Sequence, residues 1–170
     1  EKIKKHSAGR ETIWIHAVSV GEVLASRTIL ERVAKKHPEK AIVLTTVTAT
    51  GKKTASTMQL DNLFVCFLPY DIRFLMKQFF QALRPSLIAI METELWPVLL
   101  YQAKQTDTPV VLLNARLSEK SFLSYKRFLF LSGRLVGMVS RFCLQDEVSQ
   151  KRFEWLGTDT KKLSVTGNLK

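Results

Sequence analysis

The sequence predicts an α/β domain built on a Rossmann-like, doubly wound parallel sheet. Three observations predict it. Short β-rich runs alternate with amphipathic helical segments of ten or more residues, the pattern of β-α-β units. Several of the runs are continuously apolar, as strands covered on both faces are. The chain has 170 residues, 46% of them hydrophobic, which suits one domain with a real core and excludes disordered, collagen-like and low-complexity classes.

The elements follow in order. Residues 12–18 read as the first strand and 21–36 as the first helix, stopped by His37-Pro38 because proline cannot continue a helix and restricts its predecessor. Strands follow at 41–46 and 63–68, the latter ended by Pro69. Asp71 is placed to cap the next helix, whose apolar face takes Ile72, Leu75, Met76, Phe79, Phe80 and Leu83. Residues 87–91 form a strand, 95–104 a helix and 110–114 a strand, and a long helical region covers 121–139. The chain closes with a strand at 142–144, a helix at 147–156 and a strand at 163–166. There is no internal repeat. No apolar run reaches the ~18–20 residues of a membrane-spanning helix. The first ten residues are polar, without the apolar stretch of a secretory leader.

Charge and cysteine usage narrow the function. Lys plus Arg number 26 against 15 Asp plus Glu, giving +11, with the excess towards the two ends of the chain. That balance points to an anionic partner: nucleic acid, an anionic membrane surface or a phosphorylated substrate. Cys66 and Cys143 sit in apolar segments and read as buried free thiols of a reducing compartment. With the scattered His6, His16 and His37 they show no zinc-ligand spacing, so no metal is expected.

In a doubly wound sheet, ligands sit outside the carboxyl ends of the strands. The loop after the first strand, Ser19-Val20-Gly21-Glu22, is neither a dinucleotide fingerprint nor a Walker A loop. Gly21 permits close backbone approach, and Glu22 lies in the first helical turn. Glu22 either complements the helix dipole or serves as a general base; the helix end favours its anion, and desolvation by an apolar acceptor works the other way. The second loop holds Thr46, Thr48, Thr50 and Gly51 ahead of Lys52 and Lys53, suiting an anionic or sugar ligand or an ordinary cap. The fourth carries Glu92 and Glu94 one residue apart at the end of a buried strand, where a carboxylate needs partners. The fifth offers Arg116, able to form a fork with Glu92, Glu94 or an anionic substrate, and Ser118, which equally suits a plain helix cap. Residues 121–141 mix aromatic and aliphatic side chains with Lys126, Arg127, Arg134 and Arg141. They are either a buried helix with snorkelling cations or a surface for an anionic membrane or acyl chain, and the helix with Phe74, Phe79 and Phe80 admits the same two readings.

Taken together, these loops resemble a known family. His16-Ala17-Val18-Ser19-Val20-Gly21-Glu22, the Thr-rich loop, Leu68-Pro69-Tyr70-Asp71, Met91-Glu92-Thr93-Glu94-Leu95-Trp96-Pro97, Asn114-Ala115-Arg116-Leu117-Ser118 and Val165-Thr166-Gly167-Asn168-Leu169-Lys170 occur in that order. Each is similar to a motif of the 3-deoxy-D-manno-octulosonic acid (Kdo) transferases of lipopolysaccharide assembly. The fourth and fifth segments are highly specific; the Thr-rich loop is weak alone.

The resemblance implies the N-terminal half of a GT-B glycosyltransferase: inverting, independent of metal and cofactor, moving Kdo from CMP-Kdo onto a lipid A precursor. It implies a peripheral location at the cytoplasmic face of the bacterial inner membrane and no nucleic acid partner. Residues 1–170 then correspond to the acceptor-binding domain, without the donor-binding C-terminal domain or the N-terminal membrane anchor, as in an excised piece or a fragment. The isolated chain is expected to be inactive. Glu22 matches the family's proposed catalytic base. Glu92 and Glu94 match its paired acidic motif, and Ser19, Gly21, Arg116, Ser118 and the Thr-rich loop fall near the interdomain cleft. Val98 stands where the family commonly has Asn, so that polar contact is not carried over. Two alternatives remain: a basic α/β nucleic-acid-binding module, and a GT-B enzyme with another anionic-sugar donor.

Overall fold

The computed structural model describes residues 2–169, so Lys170, the last residue of the final motif, lies outside the described residues. Seven strands form one parallel sheet: β1 (Thr12–His16), β2 (Ala41–Thr46), β3 (Leu63–Phe67), β4 (Pro85–Met91), β5 (Val110–Ala115), β6 (Arg141–Leu144) and β7 (Leu163–Val165). Their order is β3-β2-β1-β4-β5-β6-β7. The chain therefore winds outward from β1 to β3, then returns to place β4 on the other side of β1 and winds outward again. The predicted doubly wound sheet is the observed one, and its switch point lies between β1 and β4.

Helices cover both faces. α2 (Val20–Lys36) and α3 (Ala49–Ala55) pack on the side of Ile13, Ile15, Ile42, Leu44 and Met91. α4 (Arg73–Leu83), α5 (Pro97–Gln105), α7 (Leu129–Gly137) and α8 (Glu147–Trp155) cover Trp14, Val43, Ile88, Ile90, Leu112 and Phe142. The period of two along β1, β2 and β4 feeds both layers, which is why these strands read as unbroken apolar runs. Trp14, fully buried, donates its indole N–H to the Thr45 hydroxyl at 2.8 Å and meets Phe79 and Phe80 edge-on.

Several expectations are corrected. A short basic helix, α1 (Lys2–Ser7), precedes β1 and escaped the sequence reading because it has no buried residue and hence no apolar stripe. Strand β1 ends at His16 rather than at residue 18, since the chain turns there to enter α2. The region read as one helix over 121–139 is two, α6 (Glu119–Arg127) and α7, broken at Phe128 with φ −115° and ψ 44°. Asp71 does not cap the helix that follows it; the N-cap of α4 is Ile72, which makes no side-chain bond there. Cys66 and Cys143 are free but only half-buried, and burial pushes the Cys66 thiol up to about 11. No helix among the described residues is long and apolar enough to cross a membrane.

The two aromatic helical segments also resolve differently. Met76, Phe80 and Leu83 anchor α4 in the core, while Phe74 at its start is exposed. Helix α6 has no buried residue, and Leu123, Phe128, Leu129, Phe130 and Leu131 all stand open to solvent along α6 and α7. The region is thus two-sided: Val136 and Val139 are buried in the core, with Phe122, Tyr125, Leu135 and Met138 packed against it, while the outer side chains form an open surface.

Candidate functional site

The loops after β1 and β4 meet at the switch point. In the first, Ser19 is the N-cap of α2 and Glu22 its third helical residue, and together they close a capping box. The Glu22 carboxylate, only 5% exposed, accepts the Val18 N–H at 2.9 Å, the Ser19 hydroxyl at 2.8 Å and the Ser19 N–H at 3.2 Å. The Ser19 hydroxyl in turn accepts the Glu22 N–H at 3.3 Å. Glu22 is thus walled in by its own loop rather than standing in an open crevice. Gly21, beside it, is exposed.

The Thr-rich loop braces this turn from below. Thr46 and Thr48 donate their hydroxyls to the Val18 carbonyl at 2.9 and 3.3 Å. Thr48 also caps α3 by accepting the Gly51 N–H at 3.0 Å. A Cβ on Gly51 would lie 2.5 Å from the Thr46 hydroxyl and 2.8 Å from that of Thr48, so only glycine fits. Thr50 is exposed, and its carbonyl accepts the Thr54 hydroxyl within α3, away from the crevice.

The loop after β4 is held by groups from elsewhere in the chain. Glu92 adopts a left-handed conformation at φ 56°, sparsely populated for a non-glycine residue, and donates its N–H to the Leu113 carbonyl at 2.8 Å. Thr93 gives its hydroxyl to the Arg116 carbonyl at 2.7 Å and accepts the Arg116 N–H at 3.2 Å. Asp71 accepts the N–H groups of Val98 and Leu99, each at 2.9 Å, capping α5 from across the sheet edge. Pro97 at the start of that helix has no N–H to offer, so these are the first orphan donors of α5.

Glu94, half-buried, is the crowded member of the acidic trio. Burial raises its proton affinity first, the negative charges of Glu22 and Glu92 raise it further, and the Trp96 indole opposes the rise. Burial and the charge on Glu94 likewise push the Tyr125 phenol of α6 upwards. The structure therefore brings Ser19, Glu22, Thr46, Thr48, Glu92 and Glu94 together. Ser118 takes the plain role, capping α6 by accepting the Ser121 N–H at 3.1 Å. The exposed Arg116 guanidinium lends its charge to Asp146, which it helps to hold below the usual carboxylate range after the Ser149 hydrogen bonds and burial have acted.

Sequence reasoning passed over three residues. His16 closes β1 fully buried, its Nδ1 2.9 Å from the Thr45 hydroxyl and its Nε2 without a protein partner. Burial pushes the ring down to about 4, so it is neutral. It meets Trp96 edge-on at 5.8 Å. A histidine ending an otherwise apolar buried strand was the available signal for the first. Tyr125 gave none, because only the packing of α6 carries it towards Glu94. Among the described residues no group of three His, Cys, Asp or Glu is arranged to hold a metal ion.

Comparison with known proteins places the chain in a family. The family described as 3-Deoxy-D-manno-octulosonic-acid transferase (kdotransferase) matches residues 1–170. The 3-deoxy-D-manno-octulosonic acid transferase of Haemophilus influenzae is 37% identical over 158 residues, covering 93% of this chain and 37% of the relative. That of Chlamydia pneumoniae is 33% identical over 169 residues, covering 98% and 39%. The chain thus spans less than two-fifths of the length of these relatives. Among solved structures, the UDP-GlcNAc 2-epimerase from Neisseria meningitidis superposes with a TM-score of 0.65 at 12% identity, covering 93% of this chain and 47% of that one. Anabaena Alr3699/HepE in complex with UDP and glucose gives 0.66 at 16% identity, covering 94% and 44%. These neighbours are of GT-B type, and the likeness is one of fold.

Proposed function

The chain belongs to the 3-deoxy-D-manno-octulosonic acid transferase family, and from that premise we propose that it is the acceptor-binding half of a GT-B enzyme. In this reading the enzyme moves Kdo from CMP-Kdo to a lipid A precursor at the cytoplasmic face of the inner membrane, with the donor held mainly by a second lobe. The observation that carries the reading is the meeting of Glu22 and Glu94 at the switch point, within electrostatic reach of each other.

Glu22 is the proposed base. A carboxylate offers about four lone-pair sites, and three are taken by Val18 and Ser19. One remains for the acceptor hydroxyl. As that oxygen bonds to the anomeric carbon of Kdo from the face opposite the leaving group, the bond to the cytidylate phosphate breaks. The cytidylate departs with the electron pair, and Glu22 takes the hydroxyl proton. The stereochemistry inverts. Glu94, less enclosed, is suited to orient an acceptor hydroxyl.

The exposed side chains of α6 and α7 support peripheral docking on an anionic membrane. Phe130 is 77% exposed, with the Arg134 guanidinium 4.5 Å from its ring, and Arg127 lies over Phe128 at 5.9 Å. Apolar and basic groups lie side by side there, as a lipid interface requires.

The test is transfer by an enzyme that contains this domain. Glu22→Gln, which can still serve as a capping residue, is expected to lower transfer about 10²–10⁴-fold, the scale of a lost general base, with little change in thermal melting. Transfer at a near-normal rate would remove Glu22 from that role. The isolated chain is expected to float with anionic liposomes and to transfer no Kdo.

A further inference from the structure

A groove of about 410 Å³ opens at the carboxyl ends of β2 and β3, beside the start of α5. That volume lies within the roughly 300–1,000 Å³ of small-molecule sites. Val47, Phe67, Leu68, Tyr70 and Trp96 make its walls. Tyr70 is 81% exposed, Phe67 and Val47 are nearly half exposed, and Ile72 and Phe74, next along the chain, lie between them. A contiguous apolar surface of this kind on a folded domain marks a binding site.

The sole carboxylate in the lining, Asp71, has both oxygens committed to the N–H groups of Val98 and Leu99. The Lys52 ammonium lies 4.5 Å over the Phe67 ring, at the rim, with Lys53 following it on α3. Hydrocarbon walls with a cation at one end, and the Asp71 carboxylate engaged in capping α5, match the two ends of an anionic amphiphile with a single chain. The groove is also concave, unlike the α6–α7 surface, so it suits one chain rather than a bilayer face.

We propose that this groove binds one hydrocarbon chain of an anionic amphiphile, with Lys52 against its charged head and Trp96 as its inner wall. In the transferase reading above, on which this identification of the chain rests, the occupant is an acyl chain of the acceptor lipid. Trp96 then links recognition to chemistry. Its ring borders the groove, while it also packs against His16 and interacts with Glu94. A chain seated on the Trp96 ring braces the loop that carries Glu94, so the groove selects acceptors by chain.

The experiment titrates this chain with dodecyl phosphate below its micelle concentration. It is followed by calorimetry and by the NMR signal of the Trp96 indole N–H, assigned with Trp96→Phe. One saturable site is expected, with a shifted Trp96 signal and affinity at least about tenfold above that for butyl phosphate, because only the longer chain fills the walls. Phe67→Ser and Tyr70→Ser weaken binding at least about tenfold by removing wall area. Lys52→Gln weakens it about three- to tenfold by removing the head-group charge. Leu123→Ser and Phe130→Ser, on the α6–α7 surface, leave it unchanged. The substituted wall positions Val47, Phe67 and Tyr70 are exposed, and Val47→Ser repeats the test if Phe67→Ser lowers the melting temperature.

Equal affinity for butyl phosphate or inorganic phosphate overturns the proposal. So does binding only to phosphatidylglycerol vesicles, binding lost in the α6–α7 variants but not in the groove variants, or no binding. Because no donor is present, failure here leaves the transfer test of Glu22 untouched, and failure of that test leaves groove binding untouched.

Discussion

The two loops flanking the switch point present carboxylates in opposite ways. After β1, the chain largely satisfies itself: Ser19 and Glu22 exchange hydrogen bonds within four residues, and the Thr46 and Thr48 hydroxyls and the Val47 N–H reach in to the Val18 carbonyl. After β4, almost nothing is local. Asp71 from the β3 loop caps α5, and the Arg116 backbone from the β5 loop holds Thr93. Glu94 is left half-buried beside two other carboxylates. The first loop fixes a carboxylate by spending its lone pairs. The second keeps one available, and relies on its neighbours for shape.

The contrast can be broken from the β1 side first. Glu22→Ala deletes three hydrogen bonds to a buried charge and leaves two backbone N–H groups without partners, so urea denaturation is expected to show a loss of about 3–4 kcal/mol, against a far smaller one for Glu22→Gln. The end of β1 should also be acid-labile. His16 titrates near 4 in the fold against an ordinary 6.5, so below pH 6.5 the unfolded chain takes up a proton that the fold refuses. Stability is full above that pH and drains as it falls, by about 3 kcal/mol near pH 4. A His16→Gln variant should flatten the profile.

On the β4 side the effects are smaller and more revealing. Asp71→Ala removes a remote cap and is expected to cost about 1–2 kcal/mol in denaturant unfolding. The amide signals of Val98, Leu99 and Trp96 should shift while those of α2 stay in place. Glu94→Gln has the smallest effect, and its sign is diagnostic. The fold raises this carboxyl above its ordinary 4.5, so the folded state binds the proton more tightly and loses stability as pH rises through that window. The glutamine variant should therefore unfold at higher urea than the parent at pH 7, with the advantage vanishing below pH 4.5. A variant less stable at pH 7 would mean that Glu94 is a structural anchor like Glu22.

Legibility in the sequence followed the range of the interactions. The strands were readable because two buried faces demand continuous apolar runs; helix α2 was read from residue 21, and the capping box that Ser19 and Glu22 form at its true start went unread although its spacing is in the sequence. Glycine at position 51 was read only as part of a ligand or capping loop, and the fold alone shows that two threonine hydroxyls crowd it. Asp71 was misassigned because a carboxylate just before a helix looks like that helix's cap. Nothing in the local sequence reveals that the N-terminus of α5 lies nearer. The break at Phe128 was hidden by an apolar pattern that continues across it.

Composition, strand periodicity and motif order thus determined by themselves that this is a basic, doubly wound α/β domain and which loops carry its polar residues. These are properties of nearest neighbours and of burial, which a linear pattern records. The tertiary structure alone decided that Glu22 is enclosed while Glu94 is crowded, that Asp71 serves a distant helix and that His16, Trp96 and Tyr125 gather around the site. Each of these depends on which strand ends lie side by side, and a parallel sheet brings those ends together from positions dozens of residues apart.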